Sequence, residues 1–156
     1  MRCGRKLIYL LFFVFFWLLG AAGYATAAAP DSGQIDVYFL WKDGCPHCER
    51  EKDFLARWES EETRIRVHYL EISHEPKNLA LFAELVRHFG IERPGVPLTV
   101  IGEAFFDGYN DDSTTGAEIK SAAKDCFDAP CRDLVRPLLT GKAGTQADDR
   151  PQPVKK

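Results

Sequence analysis

Residues 34–48 read QIDVYFLWKDGCPHC, and this stretch decides the fold. After Asp36 every position to Trp41 is apolar. A run of that kind fits a strand covered on both faces rather than on one. Lys42, Asp43 and Gly44 break it. Pro46 suits the first position of a helix, where its missing N–H would have no partner in any case. The helix is predicted to run to about Glu59, with Phe54, Leu55 and Trp58 on one side. A buried strand therefore hands over to a helix, and Cys45 and Cys48 sit at the handover.

Outward from this segment the pattern alternates. Arg64 to Ile72 (RIRVHYLEI) predicts a half-buried strand, with Ile65, Val67 and Tyr69 on one face and Arg64, Arg66 and His68 on the other. Leu81, Phe82, Leu85, Val86 and Phe89 recur at helical spacing from about Lys77 to Phe89, and Gly90 ends that helix. Val96 to Ile101 and Ala104 to Phe106 are short strands joined by a Gly102-Glu103 turn, a hairpin. A third helix is predicted from about Thr114 to Phe127, then a break at Asp128-Ala129-Pro130, then a short helical stretch from Arg132 to Leu139. The predicted order is β-α-β-α-β-β-α over residues 33–140, with a short extra C-terminal helix. The first two strands should be parallel, because a helix joins them. Composition alone indicates only one small α/β domain.

The chemistry lies in Cys45-Pro46-His47-Cys48. With Pro46 opening the helix, Cys45 becomes its cap residue. Its sulfur then faces the unpaired N–H groups of the first turn and the positive end of the helix dipole. Both favour thiolate over thiol, and the thiolate is the attacking species in disulfide exchange. His47, when protonated, adds a nearby positive charge. Cys48, one turn on and more buried, can close a disulfide with Cys45 or resolve a mixed disulfide. Stabilising the thiolate stabilises the reduced form, so the disulfide form becomes a stronger oxidant. Two plainer readings of the pair are a structural disulfide and a metal site. A zinc site of this kind usually needs a second pair nearby, and covalent haem needs a His where Glu49 stands. No metal site is assigned, and no cofactor is expected beyond the redox-active disulfide.

The CPHC motif resembles the active site of the DsbA-like periplasmic dithiol oxidases. Gly95-Val96-Pro97 resembles the cis-proline loop of the thioredoxin superfamily, and residues 96–112 (VPLTVIGEAFFDGYNDD) look like the C-terminal half of a glutaredoxin. The resemblance covers roughly Ile35 to Phe127. It implies a three-layer thioredoxin-like fold with a mixed four-stranded sheet. It also implies that Pro97 is cis and faces the Cys45 sulfur, and that the Val96 backbone pairs with an extended substrate peptide. Three departures stand out. Glutaredoxins bind glutathione with a Gly-Gly pair where this chain has Asp107-Gly108-Tyr109, which tells against glutathione as a partner. Thioredoxins and DsbA-like oxidases carry a buried acid six residues before the first active-site cysteine, where this chain has Phe39. The large helical insertion of DsbA-like oxidases is missing between the second strand and Val96. The expectation is a minimal thioredoxin core carrying an oxidase dipeptide.

Other residues divide between core and site. Trp41 fits either the core or the lining of the site, Gly108 the substrate side and Tyr109 the rim of a groove. His68, His74 and His88 read as solvated. Cys126 and Cys131 are spaced C-x4-C across the break at Pro130. A helix of about 13 residues rising 1.5 Å each puts them roughly 20 Å from Cys45. They read as a structural disulfide pinning the last two helices.

Arg2, Arg5 and Lys6 precede an apolar run, Leu7 to Leu19, and a small-residue stretch, Gly20 to Ala29, with Ala25-Thr26-Ala27 as an A-x-A site. This is the layout of a secretory signal peptide over residues 1–27. The uncharged run 7–29 is also long enough for an uncleaved membrane anchor. Either way the domain is expected outside the cytoplasm, where an even count of four remaining cysteines favours disulfides. Removing the segment takes Lys+Arg from 20 to 17 against 23 Asp+Glu, a net −6, which does not suggest a nucleic-acid partner. From Gly141 to Lys156 the chain is poor in large apolar residues and reads as a disordered tail. The expected partners are cysteine-containing exported proteins and a membrane redox partner. Three functions are consistent with the residues: an exported oxidase or isomerase of protein thiols, a reductase of the same fold fed by a membrane donor, and a metal-binding module built on Cys45, His47 and Cys48.

Overall fold

The computed structural model describes residues 33–141; segment 1–27 and residues 142–156 of the tail lie outside the described residues. Among the described residues, no helix is long and apolar enough to cross a membrane.

The strands are β1 (Ile35–Trp41), β2 (Ile65–Glu71), β3 (Leu98–Ile101) and β4 (Ala104–Asp107). The helices are α1 (Pro46–Glu61), α2 (Pro76–Phe89), α3 (Thr115–Asp128) and α4 (Val135–Leu139). The strands form one sheet in the order β2-β1-β3-β4. β2 runs parallel to β1, with Ile35 opposite Ile65. β3 runs antiparallel to β1, with Leu40 opposite Leu98 and Val37 opposite Ile101, and β4 closes the hairpin. This is the three-layer thioredoxin-like fold.

The unbroken apolar run of β1 has its cause here. The strand is central, so alternate side chains enter two separate cores. Val37 and Phe39 pack against α1 and α3 through Phe54, Leu55, Trp58, Ile119 and Ala123. Tyr38 and Leu40 pack on the other face against Leu81 and Leu85 of α2 and Val135 of α4. Each large side chain so buried stabilises the fold by roughly 1.5–3 kcal/mol.

The observed bounds differ from the predicted ones mostly by one or two residues at an end, and two of these differences have a local cause. β3 begins at Leu98 rather than Val96, because Pro97 has no N–H to give to a ladder. The last helix starts at Val135 rather than Arg132, where the Asp133 carboxylate accepts from the N–H groups of Val135 and Arg136 at 3.0 and 2.9 Å. On β2, Tyr69 is less buried than its alternation suggests: it is 37% exposed and meets Phe39 only edge-on, since β2 is an edge strand that α1 covers in part.

His68 is not the solvated residue expected. Its Nε2 lies 2.7 Å from Asp36 Oδ1, and its ring stacks on Tyr38 at 4.8 Å. Arg136 pairs with Asp36, and the Tyr38 hydroxyl donates to Asp133 at 2.7 Å, so the cluster ties α4 to β1 and β2. Burial would raise the Asp36 carboxyl, but hydrogen bonds and charge from His68 and Arg136 outweigh it and hold it below its ordinary range. His74 and His88 are exposed as expected.

Candidate active site

Three pieces of chain meet at the C-terminal end of β1. The first is the turn into α1. Gly44 takes φ +70°, a left-handed conformation open to glycine at little cost. Cys45 then leaves the strand in an extended conformation as the cap of α1, with Pro46 in the first turn. Its sulfur accepts from the Cys48 N–H at 3.2 Å, so it satisfies one of the helix's unpaired donors. Cys45 and Cys48 are joined as a disulfide with their Cα atoms 5.2 Å apart. Pro46 and His47 are exposed, Cys45 is 7% exposed and Cys48 is 0% exposed. Only one of the two sulfurs is within a partner's reach.

The second piece is the entry to β3. The Val96–Pro97 peptide bond is cis, and the Val96 carbonyl oxygen lies 3.7 Å from the Cys45 sulfur. Pro97 is buried, and its carbonyl accepts from the Gly108 N–H at 2.8 Å. Gly108 needs its φ of +89° to make that turn.

The third piece is the β4–α3 loop. The Tyr109 carbonyl lies 2.8 Å from His47 Nδ1, and Arg50 Nη2 lies 2.8 Å from the same nitrogen. One nitrogen cannot donate to the carbonyl and accept from the guanidinium together. When Nδ1 carries a proton it bonds to Tyr109; when it is bare, Arg50 occupies it. A positive charge stands on the first turns of α1 in either state. The Tyr109 side chain is not on the rim of a groove. It is 3% exposed, packs on Phe54, and its hydroxyl donates to Asp112 at 2.6 Å, with Asp112 in turn paired to Arg57 at 2.7 Å. The loop is held by that aromatic anchor and offers its backbone to the site.

Trp41 is half-buried, with the Lys52 ammonium 3.9 Å from its ring centroid and its indole N–H buried without a hydrogen-bond partner. Phe39 is 0% exposed and lies opposite Thr99. Thr99 bonds to a residue not singled out by its sequence, Glu51 of α1, which is 1% exposed. Among the described residues, no group of three or more His, Cys, Asp or Glu is placed to hold a metal.

Cys126 and Cys131 form a second disulfide, Cα to Cα 5.0 Å. It lies against Gly102 in the β3–β4 turn, where an added Cβ would come within 2.9 Å of Cys131 Cβ. Since β3 runs antiparallel to β1, that turn is at the opposite end of the sheet from Cys45. Replacing both with Ser is expected to lower stability by about 2 kcal/mol, a modest effect because the loop is short. It is expected to leave the Cys45–Cys48 potential unchanged. Chemical denaturation beside a potential measurement checks both.

No protein-family model matches the chain, and no curated protein matches it. Among solved structures it is similar to a glutaredoxin from Archaeoglobus fulgidus, at 22% identity over 54% of this chain and 86% of that one, with a TM-score of 0.41. It is also similar to a malarial protein, at 16% identity over 57% of this chain and 97% of that one, with a TM-score of 0.39. The molecule itself defines its class: a thioredoxin-like fold with a C-x2-C disulfide at the start of its first helix.

Proposed function

We propose that the protein is an exported thiol–disulfide oxidoreductase that exchanges disulfides with cysteines of other extracytoplasmic proteins, leaning toward donating or isomerising them. The observation that carries this is the Cys45 sulfur serving as the cap of α1, bonded to the Cys48 N–H at 3.2 Å. A sulfur so placed is stabilised as a leaving and attacking thiolate. Substrate thiolate attacks Cys45 and breaks its bond to Cys48. A second substrate thiolate then attacks the substrate sulfur of the mixed disulfide and releases Cys45. The substrate gains a disulfide and the protein becomes a dithiol. The Val96 carbonyl lies 3.7 Å from the Cys45 sulfur, and Val96, Pro97, Gly108, the Tyr109 backbone and Trp41 are assigned to meeting an extended substrate peptide. The signal-like segment 1–27 supports an extracytoplasmic site of action.

The charge held on α1 by His47 and Arg50 supports the oxidising direction, because it favours reduced Cys45. His47→Leu is expected to lower the potential by roughly 30 mV, and adding Arg50→Met to lower it further. Equilibration with glutathione checks this; a double variant equal to the native protein would remove the charge from the account. The direction is tested by offering a reduced, unfolded cysteine protein and, separately, an oxidised one. Faster disulfide formation in the first supports the oxidase. Faster reduction in the second favours a reductase fed by a membrane donor, to which Phe39 and the absent helical insertion also point.

A further inference from the structure

Cys48 is 0% exposed among Phe39, Phe54, Leu55 and Trp58. Its sulfur must take up a proton when the disulfide opens and lose one when it closes. It is sealed from bulk solvent, and apolar Phe39 supplies no acid. One carboxyl shares that interior. Glu51 follows Cys48 by three residues on α1, so the two side chains lie on one face, with their Cβ atoms about 5–6 Å apart. Cys48, Glu51, Leu55 and Trp58 form one inward stripe. Across the interface Thr99 Oγ1 donates to Glu51 Oε1 at 2.6 Å. Thr99 stands two residues after Pro97 and opposite Phe39, so the carboxyl is clamped between α1 and β3 on the disulfide's side of the sheet.

The groups facing Glu51 are few. Its own helix supplies Cys48. β1 supplies apolar Phe39, and β3 the Thr99 hydroxyl. The β4–α3 loop supplies Tyr109, whose phenol is raised above its ordinary pKa by burial first, then by Asp112 and by the charge of Glu51. The charge of Asp112 beyond it is answered by Arg57. Burial pushes Glu51 up to about 7, with the Thr99 hydrogen bond holding it back.

Resting on the oxidoreductase function above, we propose that Glu51 holds and returns the Cys48 proton during disulfide exchange. As the Cys45–Cys48 bond breaks, Cys48 leaves with the bonding pair and takes the proton of the Glu51 acid, giving thiol and carboxylate. In the reverse step the Glu51 carboxylate takes the proton of the Cys48 thiol. The thiolate then attacks Cys45 and expels the substrate sulfur with its electron pair. Glu51 acts through Cys48 and does not meet the substrate.

Quenched-flow mass spectrometry of the reduced full chain mixed with bis(2-hydroxyethyl) disulfide resolves two steps: the mixed disulfide at Cys45, and its closure by Cys48. In the native protein the closure rate is expected to show an inflection near pH 7. In Glu51→Gln, closure at pH 7 is expected to slow roughly 10²-fold, the inflection to vanish, and mixed-disulfide formation to stay unchanged. Glu51→Asp is expected to restore part of the rate. Thr99→Val removes the bond that favours the carboxylate and is expected to move the inflection to higher pH, which tests the assignment without altering Glu51. Native closure with a native pH profile in Glu51→Gln, or an unmoved inflection in Thr99→Val, overturns it. Failure of the native protein to form any mixed disulfide shows in the first step instead, and overturns the oxidoreductase function together with this assignment.

Discussion

With Cys48 replaced by serine, the protein is expected to accumulate as mixed disulfides with its substrates through Cys45; with Cys45 replaced by serine, exchange is expected to fall by roughly 10³-fold or more. The asymmetry follows from burial. Cys45 caps α1 beside exposed Pro46 and His47, while Cys48 is 0% exposed beneath it. A substrate thiolate therefore has one sulfur to attack. Once it is joined to Cys45, the group able to displace it from within the protein is Cys48, one helical turn away. A serine hydroxyl in its place cannot do so, and the intermediate persists. Non-reducing electrophoresis and mass spectrometry of each variant, mixed with a reduced or oxidised cysteine protein, measure the difference. Equal trapping by both variants would mean that the two sulfurs are equivalent, against the geometry.

The second large effect concerns stability and pH. Glu51 titrates at about 7 in the folded protein, against an ordinary value of 4.5. Below the lower value both states hold the proton, and Glu51 contributes nothing to the pH dependence. Between the two values the unfolded chain has released its proton while the folded one keeps it, so stability falls as pH rises. Above the folded value the full penalty of burying a carboxylate is present. About 1.4 kcal/mol per pH unit over that interval gives about 3 kcal/mol. Denaturation of the oxidised protein and of Glu51→Gln at pH 5 and pH 8 isolates this contribution from those of the groups both proteins share. Because part of the penalty is already present at pH 5, the variant is expected to gain roughly 2–3 kcal/mol on the native protein between the two pH values. Parallel curves would show that Glu51 does not titrate in this range. A residue that costs the fold this much at neutral pH is one whose burial needs a reason, and the proton of Cys48 supplies it.

The parts of the molecule legible in its sequence are those set by local pattern. β1 is readable because its central place demands apolar residues on both faces, and the start of α1 because proline and a cap residue leave a local mark. The facing of Val96 and Cys45 is not local; only resemblance to the thioredoxin superfamily points to it. What stayed hidden depends on register. Asp36 and His68 meet because β1 and β2 pair Tyr38 with His68, and Arg136 joins them only after α4 returns to the sheet. Tyr109 looks like a loop residue until the bond to Asp112 and the contact with Phe54 turn it inward. Glu51 left a usable signal. An acid on the same helical stripe as Cys48, Leu55 and Trp58 is an acid pointing into a core, yet charge on a helix is ordinarily taken as a mark of its solvated side.

The reduction potential of the Cys45–Cys48 couple tests the central claim most directly. It is measured by equilibration with glutathione redox buffers, with Cys126 and Cys131 replaced by serine so that one couple is observed. The expected value lies toward the oxidising end of thioredoxin-fold proteins, between about −120 and −200 mV. A value near about −270 mV would keep the protein a thiol–disulfide oxidoreductase and reverse its direction. A value below about −300 mV is that of a structural staple, and it would contradict the claim that this disulfide exchanges at all.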